Sequence, residues 1–419
     1  MKTLSNPALF FYGLFGLPLA LVALPVYVYV PQFYAAKFGL SLTLIGSALL
    51  IARLLDAFID PAMGAWIDRR QHGSGFQRFI LLSLPLLVVG FVALFHPLSM
   101  ASAQPFLWFL SSLMVVYLGF SLAIIAYQSW GAALTQAREL RSRLSAYREA
   151  SGLVGVIIAA ALPAFVDISW LTLVFIVTLF ASAYLLLRHA PQAASQSPSS
   201  TQTHGASQPR SLLAPFRSNC FRWLFAVFLL NGIAAAIPAT LFLFFTNDRL
   251  ALPQYAGLFL VLYFIAAALS MPLWVALAKR YGEQRAWLIG MALAIAAFVW
   301  AYTLGSGAIA GFSVICILSG FALGADLALP PALLAAVIGH ANDIGKREGA
   351  YFGMWNWATK MNLALAAGIS LPLLEVLGYK TGTTDAQGLH ALAIGYALLP
   401  CLLKTLAAIL LWRAPLSHI

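Results

Sequence analysis

Residues 40–70 read LSLTLIGSALLIARLLDAFIDPAMGAWIDRR, and this stretch decides how the rest of the chain is read. Up to about residue 64 it is apolar and long enough to cross a bilayer, which takes about 20 residues. Yet it carries Arg53, Asp56 and Asp60 inside the span and closes on Asp68, Arg69 and Arg70. A charge at mid-bilayer costs about 2.5–3.5 kcal/mol on insertion scales, so such residues face a cavity or a partner and mark a pathway. The stretch reads as a membrane-crossing helix with a polar stripe on one side.

The composition agrees. The chain has 419 residues, of which 62% are hydrophobic and only 9% charged. An ordinary soluble domain is roughly 25% charged. The mean hydropathy is +0.89. A soluble protein of this kind would expose more apolar surface than water tolerates, so a soluble enzyme, a disordered chain and a disulfide scaffold are all excluded. Cys220, Cys316 and Cys401 lie far apart and form no metal or redox motif. There is no Gly-rich phosphate loop, no GxSxG and no H-x-x-x-H. No catalytic residue, metal ligand set or cofactor is expected. Energy for any transport must come from an ion gradient.

Apolar runs between turn signals predict twelve spans. They lie near 8–31, 40–64, 78–97, 105–130, 148–167, 169–188, 219–245, 254–277, 286–305, 309–338, 350–377 and 389–412. The first has a spanning length and no cleavage signal, so it reads as a transmembrane helix and not a signal peptide. With the N-terminus in the cytoplasm, eighteen Lys and Arg fall on the cytoplasmic side. Lys37, Arg249 and Lys380 fall on the other, and Arg53, Lys360 and Lys404 lie within spans, which completes the 24. The positive-inside rule then places both termini in the cytoplasm. The net charge of +11 is a topology signal and not a nucleic-acid footprint.

Residues 189–216 are rich in Ser, Gln, Pro and Ala and read as a flexible cytoplasmic linker. The chain thus divides into six-helix halves, 1–188 and 217–419. A faint echo joins them: Pro61 stands eight residues before Arg69, and Pro272 eight before Arg280. An all-α protein of twelve spans in two repeated halves has the architecture of the major-facilitator transporters.

The few polar residues within spans carry the functional reading. Asp56 and Asp60 are four apart and share a helix face, with Arg53 three residues before Asp56 on that side. Two carboxylates in low dielectric share a proton or hold a cation. Pro61 leaves the Ala57 carbonyl without its helical partner, one more oxygen for a hard cation. The competing reading is an Arg53–Asp56 ion pair that only holds helices together. Asp68, Arg69 and Arg70 read as a gating or packing clasp at the helix end. Tyr117, Ser121, Ile124 and Gln128 form one stripe of span four. Ser121 either adds an oxygen to the cation site or bonds its own helix. Tyr127 and Trp130 read as interface anchors, and the Arg148 side chain reaches either a cavity or water. In span ten, Pro330 and Pro331 are expected to interrupt the helix. Asp326 there pairs with Lys360 or Lys404, or is a second proton site. In span eleven, Asn356, Trp357 and Lys360 lie together. Lys360 either couples to the acids of span two or snorkels to the surface.

The run Arg53…Asp56-Ala-Phe-Ile-Asp60-Pro61…Gly64…Asp68-Arg69 resembles the span-two signature of the glycoside–pentoside–hexuronide:cation symporters. Lys346-Arg347-Glu348-Gly349 followed by Tyr351-Phe352-Gly353, Lys360 and Leu377-Gly378-Tyr379 is similar to that family around span eleven. So are Tyr12-Gly13-Leu14 in span one and the approach to Arg148. The resemblance implies that Asp56, Asp60 and Ser121 bind the coupling cation and that Lys360 and Arg148 line the cavity. Two departures matter. The family's Asn two residues after the first acid is Phe58 here, which puts sodium selectivity in question and makes protons credible. The acids with which the family's melibiose carrier reads sugar hydroxyls have no counterpart: span one is Leu14-Phe15-Gly16-Leu17-Pro18-Leu19, and the span-four place is Ile124.

The expectation is a monomeric symporter of the bacterial inner membrane that carries a small solute with H⁺ or Na⁺. The solute is a sugar or glycoside read by Tyr117, Gln128, Asn231, Asn356 and Trp357, with Arg53, Arg148, Asp326 and Lys360 as coupling or cavity groups. Membrane lipid is the expected surrounding, and no nucleic acid is expected. The alternative is carriage of a more apolar solute, such as a lysolipid, without ion coupling.

Overall fold

A computed structural model describes residues 6–69, 75–98, 104–134, 138–189, 214–341 and 348–416. Among the described residues all regular structure is helical. The chain divides into two compact units, Met1–Leu40 with Ala48–Thr201 and Ser41–Ser47 with Gln202–Ile419.

The first unit contains α1 (Asn6–Leu14), α2 (Gly16–Phe38), most of α3 (Leu42–Arg69), α4 (Gly75–Phe95), α5 (Pro105–Leu134), α6 (Arg138–Ala161) and α7 (Ile168–His189). α4 packs along α5, and α2 along α6. The core is apolar and aromatic, with Phe91, Phe109 and Phe175 wholly buried. α1 is pinned to α5 by a reciprocal pair of tyrosines. The Tyr12 hydroxyl donates to the Tyr127 carbonyl at 3.0 Å, the Tyr127 hydroxyl donates to the Tyr12 carbonyl at 2.6 Å, and the two rings stack at 4.6 Å. Tyr127 and Trp130 are therefore core residues and not interface anchors; both are buried. A buried phenol needs a partner, and here each ring finds one in the other's backbone carbonyl.

The second unit contains α8 (Asn219–Phe244), α9 (Ala256–Tyr281), α10 (Glu283–Tyr302), α11 (Ile309–His340), α12 (Glu348–Val376), α13 (Ala386–Ala393) and α14 (Leu399–Arg413). A single residue, Gly282 at φ +88°, separates α9 from α10, a backbone angle that L side chains rarely adopt. α11 lies against α9 so closely at Gly320 that a Cβ there would overlap the Tyr263 carbonyl oxygen. Phe245–Arg249 and Ile394–Leu398 are single π-turns. The rings of Phe245 and Tyr396, one from each, stack at 4.0 Å. On that side of the unit the Asp248 carboxylate accepts hydrogen bonds from the Tyr379 hydroxyl and, at 2.8 Å, from the Gly382 N–H.

Ten segments among the described residues are long and apolar enough to cross a membrane. Of the two remaining expected spans, 148–167 falls on α6 and the 3-10 turn Leu162–Ala164 after it, and 350–377 on α12; their helices are not among the ten. α12 carries Asn356, Lys360, Asn362 and Glu375, which lower its hydropathy.

A second expectation is overturned. Pro330 and Pro331 do not interrupt the helix; α11 is continuous from Ile309 to His340 with both prolines inside. Proline deprives only the carbonyl four residues back of its donor, and a helix packed within a bundle tolerates that loss. Of the linker expected at 189–216, residues 190–213 lie outside the described residues.

Candidate functional site

In the first unit, α3 and α5 meet on two rungs. Arg53 and Asp56 are three apart on α3, and Tyr117 and Ser121 are four apart on α5, so each pair lies along one helix face. On one rung Ser121, wholly buried, donates its hydroxyl to Asp56 Oδ1 at 2.5 Å. On the other, the Arg53 guanidinium lies over the Tyr117 ring, 4.0 Å from its centre. An ion pair links the rungs, with Arg53 Nη1 3.7 Å from Asp56 Oδ2. All four side chains are buried, Asp56 at 2% exposure.

The helical register explains the grouping. α3 passes through Pro61 without a break, so the i, i+3, i+7 face holding Arg53, Asp56 and Asp60 stays on one side. Asp60 follows one turn on and is half-buried. Phe58 leaves this face and is 79% exposed, so it adds nothing to the carboxylate's surroundings. The arrangement supplies a buried carboxylate, a hydroxyl oxygen and a nearby fixed cation. It is suited to taking up and releasing a proton or a small hard cation.

The second unit has its own buried acid. Asp326 of α11 receives Lys404 Nζ of α14 on Oδ2 at 2.8 Å. Its Oδ1 accepts the Trp287 indole N–H of α10 at 2.7 Å and the Asn231 amide of α8 at 3.0 Å. Lys404 is therefore the partner of Asp326. A small cavity of about 20 Å³ lies beside the pair, lined by Tyr263, Ser319, Pro400 and Cys401 among others. That is room for about one water molecule.

The remaining expected residues differ in their surroundings. Asn231 is buried and serves Asp326. On α12, Asn356 and Trp357 are exposed and Lys360 is half-buried, while Tyr351, Trp355 and Ala358 form the buried face of the same helix. Gln128 is exposed, one stripe position beyond half-buried Ile124. Arg148 is paired with its neighbour Glu149 at 2.8 Å. The side chains of Asp68 and Arg69 and all of Arg70 lie outside the described residues. Sequence reasoning missed Trp287. An indole in an apolar helix gives no sign that its N–H is committed until the facing acid is placed.

Two bundles of long apolar helices with acids buried in their interiors define a multi-pass membrane transporter. A family model described as MFS/sugar transport protein matches residues 11–418. The uncharacterized symporter YjmB of Bacillus subtilis (strain 168) is 22% identical over 402 residues, covering 91% of this chain and 85% of the relative. The isoprimeverose transporter of Lactiplantibacillus pentosus is 24% identical over 419 aligned residues, covering 92% of this chain and 84% of the relative. The crystal structure of the nucleoside transporter NupG superposes with a TM-score of 0.71 at 14% identity, covering 98% of this chain and 100% of that one. At that identity the likeness speaks for the fold alone. The chain belongs to the MFS/sugar transport protein family and is a transporter, not an enzyme.

Proposed function

We propose that this chain is a cation-coupled symporter of the bacterial cytoplasmic membrane that carries a sugar or glycoside by alternating access. The observation that carries the reading is the buried Asp56 carboxylate with the Ser121 hydroxyl on one oxygen and the Arg53 guanidinium 3.7 Å from the other. A buried carboxylate that changes its charge by binding H⁺ or Na⁺ biases a two-state protein only through that binding, which is the requirement for coupling. Asp60, one turn along the same face, is the second acid of the site. The names of two relatives support the reading, a symporter the coupling and an isoprimeverose transporter the solute class.

On this reading twelve helices cross the membrane in two halves, 1–188 and 217–419, joined by a linker at 189–216, with both termini cytoplasmic. The protein works as a monomer in lipid, without nucleic acid and with no cofactor besides the coupling ion. Tyr117, Gln128, Asn231, Asn356 and Trp357 were the residues expected to read the solute. The exposure of Asn356, Trp357 and Gln128 supports keeping those three, whereas buried Tyr117 and Asn231 are taken up by Arg53 and Asp326. Lys360, Arg148 and Asp326 remain coupling or cavity groups, and Asp68, Arg69 and Arg70 a cytoplasmic clasp.

The test is uptake into proteoliposomes of a panel of glycosides, with lysolipids alongside, under an imposed proton or sodium gradient. Accumulation above equilibrium that collapses with an ionophore supports the reading. Uptake of a glycoside that ignores both gradients overturns the coupling, and uptake of lysolipid alone overturns the solute class.

A further inference from the structure

The outward faces of α9, α10 and α14 share a pattern that the buried acids do not use. On α14, Leu402, Leu406 and Ile409 are exposed, and the next position of that face is Arg413. On α10 the exposed face runs from Val299 back through Ile289 to Arg285. On α9 it runs from Leu269 through Leu273 to Arg280. Each helix is long and apolar enough to cross a membrane. An apolar stripe left open on a spanning helix faces acyl chains, so the arginine that ends it stands at headgroup level. The three ends also meet. α10 packs against both α9 and α14, and only Gly282 separates α9 from α10. Gln284, beside Arg285, donates its Nε2 to the Leu411 carbonyl at 2.6 Å and to the Ala414 carbonyl at 3.3 Å, on either side of Arg413. Exposed Tyr281 and Trp412 lie at the same ends, the depth at which aromatic residues anchor in a bilayer.

We propose that this edge of the second unit binds an anionic phospholipid, with the headgroup phosphate at Arg285 and Arg413 and the acyl chains along the stripes. The leaflet is the cytoplasmic one in the topology proposed above. The inference goes beyond the transport reading and uses none of its site residues. Charge complementarity carries it: Lys279, Arg280, Arg285 and Arg413 stand here against one acid, Glu283. Among the described residues none of the four cations is in an ion pair. Their helices do not account for them all. Arg280 and Arg413 lie in the last turns of α9 and α14, where a cation suits the helix dipole. Arg285 lies in the first turn of α10, where the dipole opposes it. The positive-inside rule explains the side on which these charges fall. It does not explain why three of them end lipid-facing stripes on neighbouring helices. A guanidinium pairs with phosphate oxygens through two parallel N–H groups, and basic groups between helix ends on the cytoplasmic side recognise anionic headgroups.

The test is native mass spectrometry of the full-length protein in detergent, titrated with phosphatidylglycerol or with phosphatidylcholine of the same acyl chains. Phosphatidylglycerol is expected to bind about tenfold more tightly, since each cation beside an anionic headgroup contributes about fivefold. Arg285→Gln with Arg413→Gln is expected to bring phosphatidylglycerol down to the phosphatidylcholine level. Arg78→Gln with Arg188→Gln removes the same charge from exposed positions of the first unit and is expected to leave the preference intact. Inorganic phosphate, which has no acyl chains, is expected not to displace bound phosphatidylglycerol. Equal binding of the two lipids overturns the proposal. So does a preference that survives Arg285→Gln with Arg413→Gln. An equal loss in the Arg78, Arg188 variant also overturns it, because the effect is then one of overall charge. Displacement by inorganic phosphate overturns it as well, because the site is then one for a free anion. If the double variant does not elute as a monodisperse protein, Arg413→Gln alone takes its place against Arg78→Gln alone, with a loss of about fivefold expected and the same criteria.

Discussion

Each half of the molecule buries an acid, and the two are held in different ways. Asp326 is gripped by three donors from three other helices: the Lys404 ammonium at 2.8 Å, the Trp287 indole at 2.7 Å and the Asn231 amide at 3.0 Å. Asp56 accepts a hydroxyl from α5 at 2.5 Å, and an arginine of its own helix lies 3.7 Å away. The three donors together tie four helices around one carboxylate. At Asp56 the arginine of the same helix stands 3.7 Å away with its guanidinium over the Tyr117 ring. Both residues are acids buried in apolar spans, so burial does not separate a structural acid from an exchanging one. The origin and distance of the counter-charge do.

The comparison is broken most directly at Lys404. Removing one member of a buried ion pair leaves the other charge uncompensated, at a cost of about 3–5 kcal/mol. Lys404→Met is expected to lower the melting temperature of the detergent-purified protein sharply and to reduce its yield. The double variant Asp326→Leu with Lys404→Met is expected to recover much of the loss, because neither charge is then stranded. A single variant as stable as wild type would show that Asp326 is not a keystone and would remove the contrast.

At Asp56 the expected result is the opposite. Asp56→Asn keeps size and hydrogen bonding and removes the charge. The protein is expected to fold with a melting temperature near that of wild type while gradient-driven accumulation in proteoliposomes is abolished. Exchange of solute between equal pools is expected to persist. A variant that unfolds in the manner of Lys404→Met would place Asp56 with the structural acids.

Ser121→Ala sharpens the same point. It removes the hydroxyl that donates to Asp56 Oδ1. A hydrogen bond to a charged group contributes about 1.5–3 kcal/mol. Because that bond favours the ionised carboxylate, its loss disfavours binding of a metal cation, which needs that form, and favours protonation. Sodium-driven uptake is expected to need roughly tenfold more ion, a factor equivalent to about 1.4 kcal/mol. Proton-driven uptake is expected to persist to higher pH. The direction of the shift, read from uptake against ion concentration, identifies the ion.

Much of this was legible in the sequence because lipid makes polarity scarce. Arg53, Asp56, Asp60, Asp326, Lys360 and Lys404 stand out in a chain with 9% charge. Helical spacing alone placed Arg53 and Asp56 on one face and offered Ser121 as an oxygen for the acids. The choice between Lys360 and Lys404 for Asp326 was not legible, since register along one helix says nothing about which neighbour faces it. Tyr117 and Asn231 were expected to face a solute, because a tyrosine or asparagine in a span reads the same whether it meets a cavity or another side chain. Pro330 and Pro331 misled in the other direction. The sequence carries the missing N–H groups but not the packing that lets α11 continue through them.

The smallest effect is expected at Trp287, and it tests how far the Asp326 grip is shared. Its indole N–H is one of two donors on Oδ1, and its ring is wholly buried in a cluster with Met291, Ala325 and Leu329. Trp287→Phe keeps most of the packing and removes the N–H. Interhelical hydrogen bonds in membrane proteins average about 0.6 kcal/mol and reach about 1.7. The Asn231 amide remains on the same oxygen and Lys404 on the other, so the carboxylate keeps its counter-charge. A fall in melting temperature of a few degrees, far short of that in Lys404→Met, is the expected outcome, with gradient-driven uptake unchanged. A loss as large as that of the lysine would mean that the grip depends on the full set of donors and not chiefly on the ammonium. Asp326 would then differ from Asp56 by the number of its partners, and the source of the charge would be secondary.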